Sequence, residues 1–264
     1  MSKEETGAFA VSLVISAIAW LRWYYLLFSA RGPRGAGMVP LLILPLLCPV
    51  MCMQLLRIDA SEPVRENPTY QMLFVALGAA WVGITMNVSE AFGVAMRDDA
   101  QGHGNGAAVA LLSGALCGSW LAYTGGNFGD IPGWWAVLFC AVATSIALLL
   151  TWAAVDRMTV LSDRVLLDRD LSSGLRFGGF LIAAGLVLGR GAAGDWVSAD
   201  ATIRGILGVS WPVLAAAAVE VMLSSAVPRS SIPNGTRAVL LGFVPALVYI
   251  SAAWKWVDSL GSWK

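Results

Sequence analysis

Apolar runs close to 20 residues long recur from one end of this 264-residue chain to the other. A bilayer's hydrocarbon core of about 30 Å requires about that many residues per helix, and inside it every backbone N–H and C=O must be satisfied within the segment. That constraint leaves one class: an all-α, polytopic transmembrane helix bundle forming a single integral membrane domain. The chain is 58% hydrophobic and 13% charged, with mean hydropathy +0.71. Soluble domains carry about 25% charged residues, so a soluble fold would lack polar surface. The 28 glycines and 11 prolines suit packed membrane helices better than soluble ones.

The runs predict eight spans, at about 8–29, 38–56, 71–96, 106–124, 134–156, 174–191, 205–227 and 237–257. They pair into four hairpins, 8–56, 71–124, 134–191 and 205–257. Pro40, Pro45 and Pro49 crowd the second span, and their missing N–H groups and ring clashes predict a kink there. Met1 to Thr6 is short and mixed in charge, which reads as the lead into an uncleaved first span. An even number of spans puts both termini on one side. The connectors after spans one, three, five and seven carry Arg31, Arg34, Arg97, Arg157, Arg164, Arg169, Arg229 and Arg237. The opposite face carries fewer cations, so the bias assigns the Arg-rich connectors to the cytoplasm and both termini to the outside. Trp134, Trp135, Trp196, Trp211, Trp254 and Trp256 fall near span ends on that opposite face, as an aromatic belt does.

Three acidic residues occupy matching places in the last three hairpins: Glu90, Asp156 and Glu220. Each is followed 14 or 15 residues later by a polar site that opens the next apolar run: Asn105, Asp170 and Asn234. An offset of 65 residues sets Gly104-Asn105-Gly106 on Arg169-Asp170-Leu171, Gly114 on Gly179, and Gly126 on Gly191. Successive hairpins then share one orientation, as parallel repeats about an axis along the membrane normal. The first hairpin fits worst, with Trp23 in the acid's place and its register resting on Gly37.

Residues 70–195 resemble the bacterial membrane family known as domain of unknown function 350, small inner-membrane proteins built from such hairpins. The resemblance rests on Glu90 and Asp156 near the ends of their spans, Asn105-x-Ala107-Ala108 with Gly114, and Asp168-Arg169-Asp170-Leu171 with Ser172-Ser173-Gly174 and Gly179. The chain departs from it in having Glu at 90, Asp at 170 and extra hairpins at both ends. The resemblance implies a fold and is silent on activity.

An ionised carboxylate in hydrocarbon is expensive unless something uses or satisfies it. Glu90, placed about seven residues inside its expected span, and Glu220, beside the run Ala215 to Ala218, therefore have two readings each. One is a proton or cation site in a hydrated cavity, and the other is a brace that pins helices together. Asp156, followed at once by Arg157, reads as an end residue that is solvated or locally paired. Arg22 lies deep in the first span, where it either snorkels or pairs with an embedded acid. Gly114 with Gly118, and Gly174 with Gly178, have the spacing that lets helices cross closely.

No cofactor or enzyme constellation emerges. The only histidine, His103, excludes bis-histidine haem ligation and leaves the serines without a base. The glycine-rich stretch 102–106 lacks a preceding strand and a following Lys-Ser/Thr, so it is no phosphate loop. Cys48 and Cys52 share a helix face and offer at most a weak metal or redox pair. Zero net charge leaves no footprint for nucleic acid. The partners that remain are the bilayer, a second copy, or another membrane protein. The leading expectation is a channel or transporter for protons, cations or a small solute that uses the embedded carboxylates. The alternative is a non-transporting membrane subunit that binds partner proteins or lipids. A proteolipid rotor subunit ranks third, because the first hairpin lacks the acid.

Overall fold

The structure, a computed structural model, describes residues 1–29, 38–90, 100, 104–227 and 235–263. It is an all-α polytopic bundle. Among the described residues seven helices are long and apolar enough to cross a membrane, or eight spans if the pair bent by 45° at Ser210 is counted as one. The long elements are α1 (Lys3–Ser29), α2 (Val39–Asp59), α4 (Pro68–Ser89), α5 (Gly106–Gly125), α6 (Trp134–Thr159) and α8 (Leu171–Ala192). Short helices α3 (Glu62–Arg65) and α7 (Leu161–Leu166) sit in connectors. The chain then continues through α9 (Ala199–Val209), α10 (Trp211–Ala226) and α11 (Gly235–Ala238). A π-helical turn (Val239–Phe243) leads into α12 (Val244–Ser259).

The long helices form two rows. Contacts of Glu5 with Tyr70, Trp20 with Ala79 and Arg22 with Glu90 climb α1 and α4 together, so these helices run parallel. Trp81 on α4 donates to Ser145 on α6, and α10 extends the same row beside α6. The second row is α2, α5, α8 and α12, all running the opposite way. Antiparallel contacts stitch the rows: the Tyr123 hydroxyl donates to the Phe74 carbonyl, Thr144 to the Ala122 carbonyl, and Trp211 packs edge-on against Trp256.

The axis of the second row is the α5–α8 contact, where backbone meets backbone. A Cβ added at Gly114 would strike the backbone of Gly178, and one at Gly174 that of Ala107. At Gly118 it would meet Leu181, at Gly185 Gly118, and at Gly125 Gly189. Lipid tails are as apolar as leucine, so close van der Waals approach is what holds such helices together. Gly179 meets Ala246 in the same manner and brings α12 onto the other side of α8.

Helix ends follow local chemistry. Asn105 Oδ1 accepts from the amides of Ala107 and Ala108, and Asp170 Oδ1 from that of Ser172, so both residues cap their helices. The residue before each cap is left-handed: Gly104 at φ 59° and Arg169 at φ 53°. At the other end of the bundle Gly129 (φ 99°), Gly194 (φ 117°) and Gly261 (φ 83°) turn the chain after α5, α8 and α12. The connectors after α5 and α8 pair through Gly194 N–H to the Phe128 carbonyl and Trp196 N–H to the Asp130 carbonyl, both at 2.9 Å.

In the third span the described helix runs to Ser89 with Glu90 at its C-cap, and residues 91–96 of the expected span lie outside the described residues. The Asn87 amide already donates to the Gly83 carbonyl at 2.7 Å, a competing bond that weakens a helix end. The seventh span is not one straight helix from 205. Ser198 caps α9 six residues earlier than the sequence suggests, and α9 meets α10 at 45°. Pro212 lacks the N–H that would bond the Gly208 carbonyl, and the Ser210 hydroxyl donates back to Ile206 instead. In the second span Pro45 and Pro49 lie inside an unbroken helix.

The glycine contacts give a direct test. Gly118→Ala should lower the thermal midpoint in detergent, by an overpacking cost of about 1–3 kcal/mol. Gly7→Ala, where an added Cβ meets nothing within 4 Å, should hold or raise it. Equal midpoints for the two variants would dismiss the backbone contact as the axis of the fold.

Candidate functional site

One half of the most deeply buried ion pair among the described residues is a residue that sequence reasoning passed over. Arg176, in the second turn of α8, is 1% exposed and lies against Glu220 of α10, which is 0% exposed. Its Nε sits 2.9 and 2.8 Å from the two Glu220 oxygens. Its Nη2 donates to Ser224 Oγ at 3.0 Å, and its Nη1 to the Leu241 carbonyl at 3.0 Å. Glu220 also accepts from Ser224 Oγ and from the Tyr249 hydroxyl, each at 3.1 Å. One buried network thus ties α8, α10, the π-turn and α12.

The free carbonyl of Leu241 has a sequence cause. Residue 245 is proline, so the N–H that a regular helix would send to that carbonyl does not exist. The π-turn is where the chain absorbs this defect, and a guanidinium nitrogen replaces the missing donor. Taking two charges out of water costs several kcal/mol per ion, which close pairing and saturated hydrogen bonding offset. This network supplies both.

The other acids are placed elsewhere. Glu90 forms an ion pair with Arg22 of α1 at 3.0 Å, with side chains 33% and 46% exposed. Ala19, Trp20, Gly83 and Asn87 help line the shallow crevice around this pair. Trp23, in the acid's place in the first hairpin, is buried and donates its indole N–H to the Leu41 carbonyl at 3.0 Å. Asp156 accepts from the amide and hydroxyl of Ser162, each at 2.7 Å, and so shapes the turn into α7. Glu90, Asp156 and Glu220 share one row and one end of the bundle, but each has its own partners and they do not converge on one site.

Asn105 Nδ2 reaches the Val165 carbonyl at 2.6 Å, linking the turn before α5 to that before α8. Asp170 binds the hydroxyls of Ser172 and Ser173 and lies 3.7 Å from Arg237. Asn234 and His103 lie outside the described residues. Gly114, Gly118, Gly174 and Gly178 all fall on the α5–α8 contact. In the run Ala215 to Ala218, Ala216 and Ala217 pack against the core while Ala215 and Ala218 are exposed. The four cysteines are free thiols, and among the described residues no group of three His, Cys, Asp or Glu could hold a metal.

Arg176 was legible in part. It is a lone cation followed by Phe177-Gly178-Gly179-Phe180, six residues past the cap at Asp170. With the span begun at Gly174 it passes for an interfacial residue, and only the fold brings it to an acid 44 positions away. Compared with protein-family models, curated proteins and solved structures, the chain matches none.

Breaking the buried pair should cost far more than breaking the half-exposed one. Glu220→Gln leaves Arg176 without its counter-charge and should destabilise by about 3–5 kcal/mol, while Glu90→Gln should cost at most about 1 kcal/mol. Replacing the pair together, Arg176→Met with Glu220→Leu, should recover most of the loss. Thermal midpoints of the three variants in one detergent measure this. An equal loss for the two Gln variants would refute the ranking.

Proposed function

We propose that the protein is a non-transporting membrane subunit whose embedded carboxylates brace the bundle and whose outward grooves receive a lipid or a partner helix. The observation that carries this reading is that the buried acid Glu220 is already paired with Arg176 of a neighbouring helix, as the part-exposed Glu90 is with Arg22. A guanidinium stays protonated at any physiological pH. An acid locked to it with saturated hydrogen bonds is a poor relay and a good strut.

A second reading, proton or cation transport through Glu220, is favoured by Tyr249. That residue lines an outward groove between α8, α10 and α12 while donating to Glu220, so a carboxyl lies one hydrogen bond from the groove. Flux in liposomes separates the two. Bracing predicts that wild-type protein passes neither protons nor common cations under an applied potential, and that Glu220→Gln acts on stability alone. A wild-type flux that disappears in a folded, inserted Glu220→Gln variant would establish transport instead.

The proposal includes descent of the hairpins from one parallel repeat. Support comes from left-handed residues at both 104 and 169 before matching caps, from glycine turns at 129, 194 and 261, and from the parallel run of each row. The resemblance of residues 70–195 to the domain of unknown function 350 family rests on its short motifs and belongs to this repeat proposal.

A bacterial inner membrane with the Arg-rich connectors in the cytoplasm is the placement proposed, on the strength of Arg157, Arg164 and Arg169 at one end of the bundle. A reporter fused at Asp163 should read as cytoplasmic and one at Gly126 as periplasmic. The reverse pattern would overturn the orientation.

A further inference from the structure

The bend at Ser210 leaves α10 clamped to its neighbours at two levels with a gap between them. At one level Trp211 stacks edge-on against Trp256, whose indole N–H donates to the Val209 carbonyl at 3.2 Å. At the other, Glu220 is held by Arg176 and Tyr249. Between the clamps α8, α10 and α12 enclose an open apolar groove of about 560 Å³. Its walls use small residues from all three helices, among them Ala184, Ala216 and Ala252. This volume falls within the ~300–1,000 Å³ of ligand sites, and apolar walls with few polar groups are their usual lining.

Three features of the groove point to one occupant. It opens sideways from helices that cross the bilayer, so what reaches it comes from the lipid phase. Along α12 it runs from Ser259 to Tyr249, about 15 Å at ~1.5 Å per residue, which is half of the ~30 Å hydrocarbon core and so the depth of one leaflet. Its outer rim carries Lys255, an exposed cation with no ion pair among the described residues, flanked by Trp211 and Trp256 at the level where indoles meet headgroups. Asp258 lies one turn further out and lines a separate surface with Trp254 and Trp263.

We propose that this groove holds one acyl chain of an anionic glycerophospholipid from the surrounding leaflet, with Lys255 on the phosphate. The proposal rests on the lipid-binding arm of the function proposed above and names the lipid class. A lysine suits the role because its ammonium is a compact point charge on a long flexible stem, able to follow a mobile headgroup. Alanines from all three helices line its walls, and the two clamps lie towards its ends.

The test uses the full-length protein in nanodiscs of phosphatidylglycerol and phosphatidylcholine, followed by delipidation in mild detergent and mass measurement of the intact complex. Wild-type protein should retain one lipid, enriched in phosphatidylglycerol about fivefold, the preference expected of one well-placed cation. Lys255→Ala should abolish the enrichment while a lipid is still retained. Ala216→Phe with Ala252→Phe should fill the groove and abolish retention. If the filled variant fails to fold, a photoreactive benzophenone installed at Ala252 replaces it and should crosslink to lipid. No retained lipid in the wild type, equal retention of both lipids, or crosslinks to protein alone would each overturn the proposal, the last in favour of a partner helix. None of these outcomes bears on whether Glu220 conducts, which the flux measurement decides alone.

Discussion

The contact between α5 and α8 is the constraint on which the rest of the molecule depends. Hydrophobic burial supplies no net drive between helices already surrounded by lipid, so the helices must gain by touching more closely than lipid can. Gly114, Gly118, Gly125, Gly174, Gly178 and Gly185 remove every side chain that would hold the two backbones apart. Because the two helices run parallel, their preceding partners α4 and α6 come together on one flank. That is what builds a two-row bundle from hairpins which, taken singly, leave one helix face uncovered. α8 is the more central of the two, since its opposite face receives α12 at Gly179. It is also the helix that carries Arg176, so one partner of the buried ion pair lies in this closely packed element.

Placing an arginine there works only because its surroundings come as a set. A guanidinium in hydrocarbon needs a counter-charge and acceptors for its remaining N–H groups. Glu220 supplies the first, while Ser224 and the Leu241 carbonyl supply the second. The carbonyl is free because of Pro245, so a residue usually read as a helix defect here completes an ion site. Lysine could not substitute, since one ammonium on a flexible stem cannot present a rigid planar fork to three separate acceptors. The same logic at lower cost operates at Arg22 and Glu90, where partial exposure lets water share the work.

Much of the bundle could be read from the chain, and the failures have physical causes. Span count, the polar sites at Asn105 and Asp170 that open their helices, and the small-residue contacts depend on local composition or short spacing, so a single sequence carries them. The site was only half legible. Glu220 stands out because an acid in an alanine run has no local explanation, whereas its partner lies 44 residues away and close enough to a span end to pass as interfacial. The bend at Ser210 escaped notice because one proline two residues beyond it changes hydropathy little while removing one backbone donor.

These misses fall together at the end of the chain where the bundle departs most from regularity. The sequence between Ser198 and Ser259 contains the bend and the π-turn, and with α8 it forms the buried ion network and the open groove, so that each depends on another. Without the bend, α10 would continue the line of α9, which packs on α8 where Gly191 meets Ile206. Without Pro245 the Leu241 carbonyl would be spent within its own helix and Arg176 would keep an unanswered N–H. With both, α10 is fixed at Trp211 and at Glu220 but stands off between them, and alanines face the space that remains. A close-packed interior does not tolerate such a gap unfilled, whereas a gap that opens to lipid is filled by whatever the bilayer supplies. The groove is therefore a consequence of how the charge was buried, and an exposed lysine at its rim gives that consequence a chemical preference.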